Sequence, residues 1–454
     1  MKKQILHFSL FIFIISFLFY YPVTVLADLS ESSSNVMKNK ESFWKKNFRM
    51  SGELRQESAF RLKDPHRFSK IRQFVKMDFR FKFDKHWKLN IGGRAWYDAA
   101  YDATSIYPQP VKDNLRKEIV LRDAYLDFLS SKLNFRLGYQ QIVWGEALGN
   151  FFADVINPKD LREFNLPSFE DIRIPLLALD LQYHFLPSST LEIVVSPDQH
   201  VDKLAPQGAD FAFFIPPPPV GVDAILLEDQ KPKTNFRNWN AGAKISTITH
   251  GWDLAGFYYT SHALEPTLFK TVGVDLKTGR TQITLSPEHR RVHHIGFTFS
   301  KDLGGSLIAR GEFVYTKGKY FNGQNILINQ GVEKRDQLRY VLGLDAALGK
   351  LSMNTELQQQ LIYGSTTNLA DQKVLTNLFF RFSSGFFEEK LSTELIYILG
   401  IDSHDMQISP IIRYQPLRSL SFSLGADLFY GPQESLYGQF SHASRVYLNT
   451  KWKF

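Results

Sequence analysis

The sequence predicts an all-β fold, a closed antiparallel transmembrane β-barrel of about 18 strands with long outward loops and an inward-folded constriction segment. Strand-length stretches of strict apolar and polar alternation recur to the last residue, and short connections alternate with long ones. Beyond Ala27 no apolar run approaches the roughly 18 residues of a membrane helix.

The first element is a leader. Lys2 and Lys3 precede an apolar run from Leu10 to Tyr21, and Val25-Leu26-Ala27 ends it with the small-residue pattern of a cleaved signal peptide, residues 1–27. Residues 28–46 read as a periplasmic N-terminal segment and 47–454 as the barrel. Losing Lys2 and Lys3 lowers the net charge of +8 by two, and the remaining basic excess is spread along the chain, which gives nucleic-acid binding no support. With no cysteine, a disulfide framework, a thiolate metal site and a Cys-linked lipid anchor are excluded.

Strands follow in order near 47–62, 71–84, 87–101, 116–128, 133–144, 176–185, 189–196, 238–248 and 251–261. The second half continues near 290–300, 304–318, 336–348, 351–363, 373–383, 389–399, 405–415, 419–430 and 443–454. In "FVKMDFRFKF" the residues Val75, Met77, Phe79, Phe81 and Phe83 face one way, and Lys76, Asp78, Arg80 and Lys82 face the other. One such strand suits a soluble sandwich equally well, so the connections decide. Every second one is tight ("DKH", "SSK", "PSS", "LGK", "QPLR"), whereas 102–115, 145–175, 197–237, 262–289, 319–335 and 364–372 are long. Tight turns on a periplasmic rim and long loops outside are the pattern of an outer-membrane barrel, and only closure satisfies every strand edge in lipid. Trp87, Tyr101, Tyr414, Tyr430 and Trp452 near strand ends fit aromatic girdles. The terminal "YLNTKWKF" resembles the signal read by outer-membrane barrel assembly machinery.

The strand 133–144 points Arg136, Gly138, Gln140 and Trp144 inward, and residues 145–175 after it are too many for a simple cap. They are expected to fold into the lumen as a constriction. Phe151 and Phe152 pack on the wall, Pro158 starts a short helical turn in "PKDLREF", and Asp160, Arg162 and Glu163 meet lumen charges. Trp144, Glu146, Asn157 and Asp160 are the residues expected to lock the segment in place.

"LRDAYLDF" followed by "NFRLGYQQIVWGEALGNFFADVINPKDLREF" resembles the signature of the outer-membrane family named domain of unknown function 1302. The matching residues are Arg136, Gly138, Gln140, Trp144, Gly145, Glu146, Asn157, Pro158 and Asp160, while Tyr139 departs from the Arg common there. The resemblance implies an outer-membrane barrel linked to envelope transport of hydrophobic or lipid-like compounds, and no reaction.

Two further features bear on a solute. "GADFAFFIPPPPVGVDAILLEDQ" (208–230) is apolar for a surface loop, and Pro216 to Pro219 hold it extended. Its Phe211, Phe213, Phe214 and Leu226, with Ile225 and Leu227, are candidates for a greasy solute mouth, or for mutual packing that steadies the loop. Alternation also turns Arg49, Arg55, Arg80, Arg94, Arg310, Arg339 and Arg381 inward as lumen lining, with Glu312, Asp345, Glu356 and Glu394 among the acids beside them. Such a wall either draws anionic or amphipathic solutes or forms cross-strand ion pairs.

No Gly-x-Ser-x-Gly or His-Glu-x-x-His pattern occurs, and His293 and His294 fall on opposite faces of one strand, so neither an enzyme nor a metal or cofactor site is expected. The function read from the sequence is a monomeric porin-like channel or transporter for a small apolar or amphipathic, lipid-like solute. The alternatives are a passive basic-lined porin for small anions and a non-transporting envelope partner of an inner-membrane export system. Its surroundings would be outer-membrane lipid and lipopolysaccharide, the assembly machinery and an inner-membrane transporter.

Overall fold

Apolar side chains cover the outside of the sheet and polar ones fill its inside, the reverse of a protein folded in water. Ile91, Leu137, Ile193, Phe297, Leu424 and Leu448 are exposed, whereas Asp98, Glu312, Glu356 and Gln358 are exposed by 1% or less. Alternation at period two sorts the faces, and a surrounding hydrocarbon layer makes the arrangement stable. The computed structural model describes residues 46–147, 149, 151–365 and 367–454, so the expected leader and residues 28–45 lie outside the described residues.

The barrel unit, Met50–Phe454, is built on one 18-stranded sheet whose strands run from Phe48–Arg61 to Arg445–Lys453. All the expected strands are present. The sheet closes where the first strand pairs antiparallel with the last, from Glu53 opposite Lys453 to Arg61 opposite Arg445. At the foot of that seam the Gly52 N–H donates to the Phe454 carbonyl at 2.8 Å and the Phe454 N–H returns to the Gly52 carbonyl at 3.0 Å.

Tight turns fill one rim, as at 250–251, where His250 and Gly251 hold φ of 49° and 73° and so match the twist of the hairpin strands. The opposite rim carries the long connections. Strand Leu307–Asn322 bulges between Thr316 and Lys319 and runs on against Val332–Leu348, which shortens the expected connection 319–335 to 323–331. Above the barrel, Val222–Leu226, Thr281–Glu288 and Thr267–Val274 form a separate three-stranded sheet. Tyr101, expected in a girdle, is instead buried with Tyr107 and Val111 under the outer loops, because the chain turns helical at Ala100–Ala103.

The strand expected over 133–144 ends at Gln140. Beyond it the ladder is replaced by side-chain partners. Gln140 Nε2 donates to the Ala178 carbonyl at 2.8 Å, and the Ile142 N–H donates to Asn157 Oδ1 at 2.7 Å. The chain leaves the wall there and enters the lumen.

Candidate solute passage

The described residues between 141 and 175 cross the barrel interior as two limbs, each held to the wall by its own chemistry. The first limb gives up backbone N–H groups to buried wall carboxylates. Glu312, fully buried on strand Leu307–Asn322, accepts from the Glu146 and Ala147 N–H groups through Oε1 at 2.6 and 2.8 Å. Its Oε2 accepts from Phe152 and Ala153, both at 2.8 Å. Glu356 accepts the Gly149 N–H at 3.0 Å, and a side chain at Gly149 would collide with that carboxylate and with Phe379. Trp144 is buried against Phe257 and Tyr259 and donates from Nε1 to Glu192 at 2.7 Å, beneath Lys244. A carboxylate that takes four N–H groups from an irregular segment does there what a strand ladder does elsewhere.

Asn157 joins the ends of the crossing. Besides the Ile142 bond, its Nδ2 donates to the Ile174 carbonyl at 2.7 Å and to the Gln140 carbonyl at 3.3 Å. Asp154 pairs with Arg173 at 2.8 Å beneath it.

The second limb gives up acids to wall cations. Asp171 meets Arg55 at 3.0 Å and Arg94 at 3.6 Å, and Glu170 meets Lys76. Glu163 meets Lys70, Arg72 at 2.5 Å and Arg445 at 3.6 Å. Asp160 lies 3.7 Å from Arg94 of the wall and pairs within the limb with Arg162 at 2.7 Å, whose guanidinium also reaches Glu118 at 2.5 Å. Burial alone would raise these carboxyls, but the cations outweigh it and hold Asp160, Asp171 and above all Glu163 below the ordinary carboxylate range.

Between the second limb and the wall lies a cavity of about 810 Å³ that reaches the turn at Arg418 and Ser419 on the short-turn rim. Cations are in excess in its lining, among them Arg55, Arg72, Arg94, Arg445 and Lys451, beside the acids Glu57, Asp171 and Asp427. Apolar residues share the lining, Phe379, Ile396, Ile398 and Ile411 on the wall, with Arg381, Glu394 and Arg413 on the same strands, and Phe151 and Phe169 on the limbs. Its roof is an aromatic cluster in which Phe164 and Phe211 pack with Phe379, Phe429, Tyr437 and Phe440.

The structure places Trp144, Asn157 and Asp160 in the crossing segment and Gln140 at the strand end beside it, and Glu146 takes part in a different way. Glu146 anchors through its backbone. Its carboxylate is 40% exposed, lies 3.8 Å from Arg310, and is pushed up by burial and by Asp253. Arg136 stays on the wall, paired with Asp127 at 2.6 Å over the Tyr125 ring. The helical turn expected after Pro158 is absent, because Asp160–Leu161 pairs in parallel with Lys203–Leu204, and the helix forms later at Phe169–Ile172, capped by Ser168.

The expected solute mouth divides. Phe211 and Phe213 join the roof, Phe214 is half-buried with its N–H on Gln439, and Leu226 stands apart in the outer three-stranded sheet. Among the expected lumen arginines, Arg55, Arg94 and Arg381 line the cavity. Arg80 bonds Asn90 at 2.9 Å, Arg310 pairs with Asp345 at 2.7 Å, Arg339 lies behind the first limb over the Phe152 ring, and Arg49 is exposed. Alternation already turns Glu312 and Glu356 inward, but no local signal ties either one to the crossing segment.

The closed sheet, its inside-out polarity and a long connection folded into the lumen define a β-barrel of outer-membrane type. The family model described as "Protein of unknown function (DUF1302)" matches residues 57–394, and the chain belongs to that family. Solved barrels share the fold. Pseudomonas aeruginosa OpdL superposes with a TM-score of 0.51 at 12% identity, covering 90% of this chain and 98% of its own. Pseudomonas aeruginosa OccK8 (OprE) gives 0.53 at 9%, and Acinetobacter baumannii OccAB4 gives 0.51 at 10%, each covering 90% of this chain and 98% of its own. No curated protein sequence matches the chain.

Proposed function

We propose that this barrel is an outer-membrane channel for small amphipathic anions, molecules with a carboxylate-like head and an apolar body. The observation that carries the reading is a cavity whose lining has an excess of cations and also apolar groups, Arg72, Arg94 and Arg445 with Phe379, Ile396 and Ile398. An excess of fixed cations in a low-dielectric lumen raises the local concentration of anions, and apolar groups in the same lining favour solutes that bury methylenes as well. A purely polar solute gains only the first of these.

Swelling of liposomes that contain the purified protein tests the reading. Octanoate should enter faster than butanoate at equal concentration, and both faster than octylammonium or glucose. Equal rates for all four, or a preference for the ammonium, would overturn it.

A further inference from the structure

The second limb ends its descent on one carboxylate. Glu163 sits among Lys70, Arg72 and Arg445, cations from two strands that adjoin the first strand on either side, and all three line the cavity together with Glu163. The next residue points the opposite way. Phe164 enters the roof, its ring 4.6 Å from that of Phe440 and 5.8 Å from that of Tyr437. The reversal between them requires φ of 53° at Phe164, a left-handed conformation that a bulky side chain adopts only when its surroundings impose it. One residue therefore fills a cation cluster, and the residue bonded to it closes the roof under backbone strain.

We propose that the cluster of Lys70, Arg72 and Arg445 is the head-group site of the passage, that Glu163 occupies it as an internal stand-in for a solute carboxylate, and that displacement of Glu163 withdraws Phe164 from the roof. The inference rests on the anionic-solute reading above. The three cations keep their other partners in both states, Lys70 with Glu57, Arg72 with Asp98 and Arg445 with Asp427, and one carboxylate replaces another only at the position that Glu163 vacates. The incoming carboxylate must compete with a tethered one, whose effective concentration is high. An apolar tail supplies the advantage, since each methylene buried against Phe379, Ile396 and Ile398 should strengthen binding about fourfold. The first limb stays fixed during the exchange, held by Glu312 and Asn157, which touch none of these cations.

The test is planar-bilayer conductance of the full-length protein in potassium chloride, with and without octanoate. Wild-type conductance should rise at least threefold on adding octanoate, butanoate should require a far higher concentration, and octylammonium should do nothing. E163Q, isosteric but uncharged, should conduct at the raised level from the start and ignore octanoate. Glu163→Asp keeps the charge on a shorter arm, so it should stay closed and respond at lower octanoate, which keeps the test valid if E163Q fails to assemble. Octanoate uptake by wild type together with E163Q conductance no higher than wild type would overturn the displacement and leave the passage reading standing. An open E163Q channel beside a wild type that ignores octanoate would overturn displacement by solute, and the proposed solute class with it.

Discussion

Glu312 Oε2 accepts the backbone N–H of Phe152 at 2.8 Å across 160 residues of sequence, one of four such bonds that hang the first limb on a single buried carboxylate. Each N–H to carboxylate bond is worth about 1.5–3 kcal/mol, and an N–H left unpaired costs about as much again. Glu312→Ala should therefore free the first limb while the sheet, closed around its circumference, keeps the barrel intact. Conductance should rise severalfold, with unboiled mobility on gels unchanged. Glu146→Ala is the contrast, because its exposed carboxylate contributes an ion pair of about 0–1 kcal/mol, and conductance should stay within about twofold of wild type. A larger effect from Glu146→Ala than from Glu312→Ala would show that the lock has been placed on the wrong residue.

Acid should loosen the second limb. Asp160, Glu163 and Asp171 are all held below the ordinary carboxylate range, so the stability they add is complete above their unfolded values and is lost as pH falls through the lowered ones. Wild-type conductance should climb below about pH 4, and E163Q should show a smaller climb because its limb is already free. Asp202, which accepts the Lys159 N–H at 2.7 Å, acts with the opposite sign. Burial pushes it up to about 6, so its contribution is complete in acid and fades as pH rises through that value. A slight loosening as pH rises from about 4 to about 6 that disappears in Asp202→Asn would be its signature. Conductance that falls steadily into acid would contradict the sign assigned to the limb.

How much of this was legible in the sequence depends on the range of the force involved. All eighteen strands could be read, because alternation at period two is local and the lipid outside enforces it along the whole strand. The departure from the wall could be read for the same reason, but at Trp144, beyond the strand end at Gln140. Its anchor could not. Alternation turns Glu312 inward, but nothing in the residues around it distinguishes a carboxylate that binds four backbone N–H groups from Asp345, which pairs with Arg310 on the next strand. Phe164 was equally opaque, since a left-handed Phe is dictated by Glu163 below and the ring cluster above, contacts made with residues more than 200 positions away in Phe440 and Arg445. The roof itself was half legible. Phe211 and Phe213 stood out as apolar in a surface loop, and that they pack inward on Phe429 and Phe440 depends on a loop near the end of the chain.

The closing seam offers the last test. The first strand meets the last through reciprocal bonds between Gly52 and Phe454, and the Phe454 ring lies where a side chain on residue 52 would stand. Gly52→Val thus places a branched side chain against that ring and against the Lys76 carbonyl beyond it. The neighbours cannot all yield, because the Phe454 ring is also packed against Trp452, at 5.3 Å. Moving the ring outward strains the two backbone bonds that finish the circumference, each worth about 1 kcal/mol net in the closed sheet but costly to leave open in lipid. The folded, fast-migrating form on unboiled gels should fall to about half of wild type or less, and the remainder should run as unfolded chain. Gly52→Ala brings its one methyl group against the same ring and 3.0 Å from the Lys76 carbonyl oxygen but adds no branch beyond it, so it should show a smaller loss. Wild-type yield and mobility for Gly52→Val would mean that closure does not depend on the close approach of Gly52 to the terminal ring, and that the register from Glu53–Lys453 upward is enough to seal the barrel.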